Sequence, residues 1–178
     1  HGYCFGCGHY EKGNEMEATE SNSEKFGFHT LLAKDKKEQE KVFSEGDFKT
    51  LSKRGINKDT CIKFDYRVST HMGKPCQVAN YKHNNKIVAQ KLRFSDKTFK
   101  WIGSSQDVGL FGQHLWRDGG KMVVVTEGEL DCMSVSQAQG NKWAVVSIKN
   151  GSQGAKRDVQ KSLEWLEKFE SVIFMFDM

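Results

Sequence analysis

The 178-residue sequence predicts an α/β protein in which a parallel sheet built from βαβαβ units follows a smaller mixed α+β subdomain. Three observations carry that prediction. The runs MVVVT (122–126), WAVVSI (143–148) and SVIFMF (171–176) are apolar, rich in β-branched residues and of strand length. The intervening segments ELDCMSVSQAQ and AKRDVQKSLEWLEKF place Leu130, Met133 and Ala138, then Val159, Leu163 and Leu166, at roughly helical spacing. Strands alternating with helices of that length make crossover units and hence a parallel sheet. Ahead of them, KFDYRVS, CQVANYK and KIVAQKLRF, the last two flanking the polar turn His83-Asn84-Asn85, read as strands with at least one hairpin.

Along the chain, residues 1–15 contain Cys4-Phe5-Gly6-Cys7, a C-x-x-C knuckle with glycine at its turn. Structural zinc needs four ligands, usually two such pairs. One pair alone is read equally as half a zinc site or as two unbound thiols. Residues 16–46 are polar, charged and aperiodic, and are expected to be a flexible linker. The next subdomain, 47–118, is expected to open with two short helices separated by Gly55, with Asp47 and Asn57 as N-caps. The last segment, 119–178, holds the parallel sheet. Within it Gly140 can end the first helix, and Asn150-Gly151-Ser152-Gln153-Gly154 forms a glycine loop before the second.

Hydrophobic residues make up 37% of the chain and charged ones 28%, and no apolar run approaches the roughly 20 residues of a membrane helix, so a membrane protein is not expected. The formal charge of +4 leans basic without by itself arguing for nucleic acid. Five scattered cysteines suit a reducing cytoplasm better than a disulfide framework. No basic stretch followed by an apolar run opens the chain, so no signal peptide is expected. With no initiator methionine and an end inside a strand pattern, the sequence reads as a fragment.

Ligands of open parallel sheets collect at the carboxyl ends of the strands. Two acids stand there: Glu127 follows MVVVT and Asp177 follows SVIFMF. Carboxylates held by strands at one sheet edge suit a hard cation bound through oxygen. The competing structural reading is a capping box, with Thr126 as N-cap and Glu129 three residues on; it accounts for Glu129 and leaves Glu127 unexplained. In KIVAQKLRF, strand alternation puts Val88, Leu92 and Phe94 on one face and Lys91 with Arg93 on the other. Lys97 and Lys100 are expected to continue that basic patch, and Phe99 and Trp101 to stack on a base. The plainer alternative is cations facing solvent. The glycine loop lacks the P-loop pattern, yet Gly151 and Gly154 are candidates for phosphate contact through backbone N–H groups. His71 and His114 have no partner at metal-ligand spacing.

VVVTEGELD, the glycine-bearing SIKNGSQGA and a hydrophobic strand ending in FD resemble the TOPRIM domain of primases and topoisomerases. More closely, LSKRGINKDTC, QVANYKHNNKIVAQKLRFSDKTFK, LFGQHLW, GGKMVVVTEGELD and FMFDM, in order over about residues 47–178, resemble the primase half of the primase-helicases of T-seven-like phages. The resemblance implies a DNA primase that makes short RNA primers on a single-stranded DNA template from ribonucleoside triphosphates. Glu127 matches the TOPRIM glutamate, expected in acid/base work or beside Mg²⁺ (or Mn²⁺). Asp177 matches the first aspartate of the metal-binding D-x-D pair. Glu129 and Asp131 match supporting acids, and Lys91 and Lys97 the basic motif needed for polymerisation. Cys4 and Cys7 would be the second half of a four-cysteine Zn²⁺ domain that selects the template, with His1 near the template. The implied partners are a replicative DNA polymerase and a covalently linked helicase, hexameric through that half, in the host-cell cytoplasm. Without the missing ligands, the fragment itself is expected to be inactive. Two rival readings remain: a TOPRIM enzyme that cleaves DNA, for which Tyr66 and Tyr81 lack the context of a nucleophile, and a non-catalytic module that holds single strands.

Overall fold

The computed structural model describes residues 42–176, together with two short strands, β1 (Gly2–Tyr3) and β2 (Tyr10–Glu11), which pair antiparallel. The chain divides into two compact units, His1–Glu40 and Lys41–Met178. Cys4, Cys7, His1 and Asp177, and the linker up to residue 41, lie outside the described residues.

The second unit starts earlier than the expected boundary at residue 47. Ser44 N donates to Gln90 Oε1 at 2.7 Å and Ser44 O accepts from Gln90 Nε2 at 2.9 Å. Ser69 Oγ donates to the carbonyl of Glu45. Residues 44–47 thus satisfy a buried amide and bridge the next strand through Asp47 and Val68, so this end of the linker is fixed structure. A Cβ on Gly46 would sit 2.5 Å from the carbonyl oxygen of Val68, which explains glycine at that close approach.

Asp47, engaged in that bridge, is not a helix cap. The first expected helix is a single 3₁₀ turn, Ser52–Arg54, closed by Gly55 in the left-handed region at φ 64°. The second, α1 (Lys58–Lys63), starts where expected, with Asn57 Oδ1 accepting from Thr60 N at 2.8 Å.

Four strands then form an antiparallel meander: β3 (Tyr66–His71), β4 (Lys74–His83), β5 (Lys86–Phe94) and β6 (Phe99–Gly103). The β4–β5 turn puts Asn84 and Asn85 at φ 48° and 62°, as two-residue hairpin loops of the asparagine and glycine type do. One face of this sheet, with Tyr66, Ala79, Tyr81 and Ala89, joins Phe64, Phe111, Val124, Leu130 and Met133 in the main core. The other carries a small cluster of Cys76, Val78 and Leu92.

The parallel part follows as expected. Strands β7 (Gly120–Thr126), β8 (Ala144–Ser147) and β9 (Phe169–Met175) stand in the order β8-β7-β9, all parallel. Helix α2 (Glu129–Ala138) joins β7 to β8. The expected second helix is broken into α3 (Ala155–Lys161) and α4 (Leu163–Leu166): Ser162, at φ −108° and ψ 9°, interrupts it so that Trp165 and Leu166 turn into the core with Val123, Val125 and Ile148. Each such fully buried aliphatic side chain contributes about 1.5–3 kcal/mol.

Residues 104–118 tie the two sheets together. Phe111 pairs with Ser147 through both backbone bonds, at 2.9 and 3.2 Å, and Trp116 Nε1 donates to the carbonyl of Val145 at 3.0 Å. Among the described residues no helix is long and apolar enough to cross a membrane.

Candidate functional site

Where the two sheets meet, a cleft of about 460 Å³ opens at the carboxyl end of β7. The register of β5 with β6 sets Lys91 opposite Trp101 and Arg93 opposite Phe99, so all four side chains share the face that lines it. The far wall is the β7–α2 connection with Glu127, Glu129 and Asp131, and its rim is the loop after β8, Lys149 to Gly151.

Lys91 Nζ donates to Glu129 Oε1 at 2.8 Å and to the backbone carbonyl of Lys149 at 2.6 Å. It also lies 4.8 Å from the ring centre of Phe99 and 6.0 Å from that of Trp101. Tyr81 O–H donates to the same Glu129 oxygen at 2.7 Å. Burial, then the neighbouring Glu129 charge, pushes the Tyr81 phenol well above its ordinary range, so it stays protonated as a donor.

This overturns the capping-box reading. The N-cap of α2 is Gly128, without a side-chain cap bond, and Thr126 Oγ1 donates to the carbonyls of Gly128 and Val146. Glu129 is buried, and a buried carboxylate is held by a cation and a phenol in preference to a backbone amide.

Glu127 is half-buried at the strand end, its Oε1 accepting from Ser152 N at 3.1 Å. A Cβ on Gly151 would lie 3.4 Å from that oxygen, and Gly151 itself has φ 67°, so glycine lets the loop close on the acid. Gly154 does not line the cleft; its bareness spares a 2.8 Å clash with Asn150 Cβ. Asp131 stands exposed on the cleft wall.

Two expected members of the basic patch are elsewhere. Lys97 occupies the β5–β6 turn at φ 65°, exposed and outside the cleft lining. Lys100 is opposite Leu92, hence on the reverse face from Lys91, with Nζ 3.0 Å from His71 Nε2. The patch fails to continue because the hairpin turn breaks the alternation that aligns Lys91 with Arg93. Arg54 and Lys149, unremarked in the sequence, do line the cleft. A lysine ending the buried run of β8 was the available signal for Lys149. Neither Tyr66, buried and donating to Gln77 Oε1 at 2.9 Å, nor Tyr81 is an exposed nucleophile.

Among the described residues no group of three or more His, Cys, Asp or Glu side chains stands close enough to hold a metal ion. The acids that face the cleft offer oxygen alone, the donor type of Mg²⁺. Parallel pairing of Thr126 with Met175 brings the carboxyl ends of β7 and β9 side by side.

Fold and site together define an α/β protein whose strand-end carboxylates face cations and aromatic rings of an adjoining antiparallel sheet. Residues 46–103 match the family described as "Bacteriophage T7 DNA helicase/primase, N-terminal a+b fold". The chain is 39% identical to a DNA helicase/primase of Enterobacteria phage T3 over its whole length, and spans 31% of that relative. It matches the crystal structure of the primase fragment of the bacteriophage T7 primase-helicase with a TM-score of 0.71 at 45% identity, covering 76% of this chain and 56% of that one. A second match, at TM-score 0.70 and 45% identity over 76% of this chain and 61% of that one, is to T7 primase domains bound to an RNA/DNA hybrid and dTTP, in a structure of the lagging-strand DNA polymerase. The chain is similar to the primase part of phage DNA helicase/primases.

Proposed function

We propose that this chain is the primer-synthesising part of a phage DNA primase, a template-directed RNA polymerase acting on single-stranded DNA. The observation that carries the reading is the facing of Lys91 and Arg93, beside Phe99 and Trp101, toward Glu127, Glu129 and Asp131 across one cleft. The relatedness to phage helicase/primases supports it.

Primer synthesis joins a 3′ hydroxyl to the α-phosphorus of a ribonucleoside triphosphate and releases pyrophosphate. Lys91 and Arg93 are placed to bind triphosphate oxygens. Phe99, half-exposed, and Trp101 offer faces for a base. Glu127, at a strand end and held by Ser152 N, is the residue to take the proton of the attacking hydroxyl. Mg²⁺ (or Mn²⁺), when bound through Glu127 and Asp177, supplies charge neutralisation of the triphosphate. Glu129 positions Lys91.

On this reading the β8-β7-β9 sheet is a TOPRIM core, and Cys4 and Cys7 supply half of a Zn²⁺ site whose template-reading domain includes His1. A covalently linked helicase, a hexamer through that half, and a replicative DNA polymerase are the proposed partners, in the host-cell cytoplasm.

The test is to give the full-length protein single-stranded DNA, all four ribonucleotides and Mg²⁺. Short oligoribonucleotides are expected. Absence of any product, or scission of plasmid DNA in its place, overturns the reading.

A further inference from the structure

Lys149 is a lysine only 2% exposed, and its surroundings are built for a buried ammonium. Nζ donates to the carbonyl of Val108 at 2.7 Å and to that of Ser105 at 3.1 Å, and lies 3.6 Å from Asp158 Oδ1. Asp158, 1% exposed, also accepts from the backbone N of Lys149 through Oδ2 at 2.9 Å. Among the described residues Asp158 Oδ1 has no hydrogen-bond partner, so the lysine charge is what compensates it. One residue thereby fastens three segments: the 104–118 connection, the loop after β8, and α3.

That loop touches both halves of the cleft. The carbonyl of Lys149 accepts from Lys91 Nζ, and three residues on, Ser152 N donates to Glu127 Oε1. A buried ion pair costs desolvation, and in some proteins such a pair serves to fix one geometry.

We infer that Lys149, through its buried pair with Asp158, is a positioning residue that sets the rim loop so that the Lys91 ammonium and the Glu127 carboxylate keep their places across the cleft. Burial lowers the Lys149 pKa and the Asp158 charge opposes that fall. This inference rests on the primase reading for its catalytic consequence, and has a readout independent of it.

The informative variant is Lys149→Met with Asp158→Asn, which removes both charges while asparagine retains an acceptor for the backbone N of residue 149. In the full-length protein, the rate of amine modification of Lys91, mapped by mass spectrometry, is expected to rise several-fold. The KM for ribonucleoside triphosphate in primer synthesis is expected to rise about ten-fold, with a smaller change in kcat and a circular-dichroism spectrum like that of the parent. A folded double variant with unaltered Lys91 modification and unaltered KM overturns the inference. If the double variant does not fold, Asp158→Asn alone, which leaves both carbonyl bonds to Lys149, is read by the same two measurements. If the parent makes no primers the primase reading fails, while Lys91 modification still decides the positioning role.

Discussion

Lys91 Nζ and Glu129 Oε1 lie 2.8 Å apart with their side chains only 11% and 9% exposed, an ion pair that joins β5 of the antiparallel sheet to the first turn of α2 in the cleft. Removing one partner strands the other's charge in a poorly solvated site. Lys91→Met is therefore expected to lower stability by about 3 kcal/mol, read by urea unfolding, and to reduce primer synthesis at least 100-fold. Lys97→Met, at an exposed turn, is expected to change stability by no more than about 0.5 kcal/mol. Equal destabilisation by the two substitutions would contradict the placement of Lys91.

Glu127→Gln retains an oxygen to accept from Ser152 N, so folding is expected to persist while primer synthesis falls by two to four orders of magnitude, on the order of what acid/base groups contribute. Unchanged primer synthesis would leave a binding module as the better description.

Chelation of divalent metal with EDTA is expected to stop primer synthesis in the full-length protein, and Mg²⁺ or Mn²⁺ to restore it. Synthesis that persists at full rate in chelator would remove the metal from the proposal.

Asp65 gives a pH signature. Burial raises its pKa, but hydrogen bonds and charge from Lys82 and Arg67 outweigh this, and the net effect lies below the usual carboxylate range. Because its folded pKa is depressed, its contribution to stability is complete above the unfolded value of about 3.9 and is lost as pH falls through the folded value. Asp65→Asn is expected to lower Tm at pH 7 and to flatten the decline of Tm as pH falls below the unfolded value. An unchanged acid limb would refute it.

Cys61, Cys76 and Cys132 are free and buried, and burial raises each thiol pKa. Iodoacetamide at pH 8 is expected to leave all three unmodified in the native protein and to label them in urea. Rapid native labelling of Cys132 would contradict the packing of α2 against the core.

The parallel sheet was legible because β-branched runs bounded by turn residues have few other uses. Strand β6 carries no such signal, since Phe99-Lys100-Trp101-Ile102-Gly103 is short and shows no clear apolar alternation. The site was legible where alternation within one strand sufficed, as for Lys91 and Arg93. It misled where a local motif competed with a distant partner: Glu129 fits a capping box in sequence, and only the fold brings Lys91, 38 positions away, to claim it. The sequence marks Lys149 only as a lysine ending a buried run; its role stays hidden for the same reason, because its two carbonyl acceptors and its ion-pair partner come from residues 105, 108 and 158. The approach of β7 and β9 at their carboxyl ends follows the expected topology, with Asp177 itself outside the described residues.

The middle position of β7 among parallel strands has a kinetic corollary. The meander β3 to β6 zips up between sequence neighbours, whereas β7 must await β8 and then β9, about 20 and 50 residues downstream, before its two edges are covered. A chain emerging from the ribosome therefore completes the cationic wall of the cleft first, and the acidic wall takes shape only once β9 docks on β7.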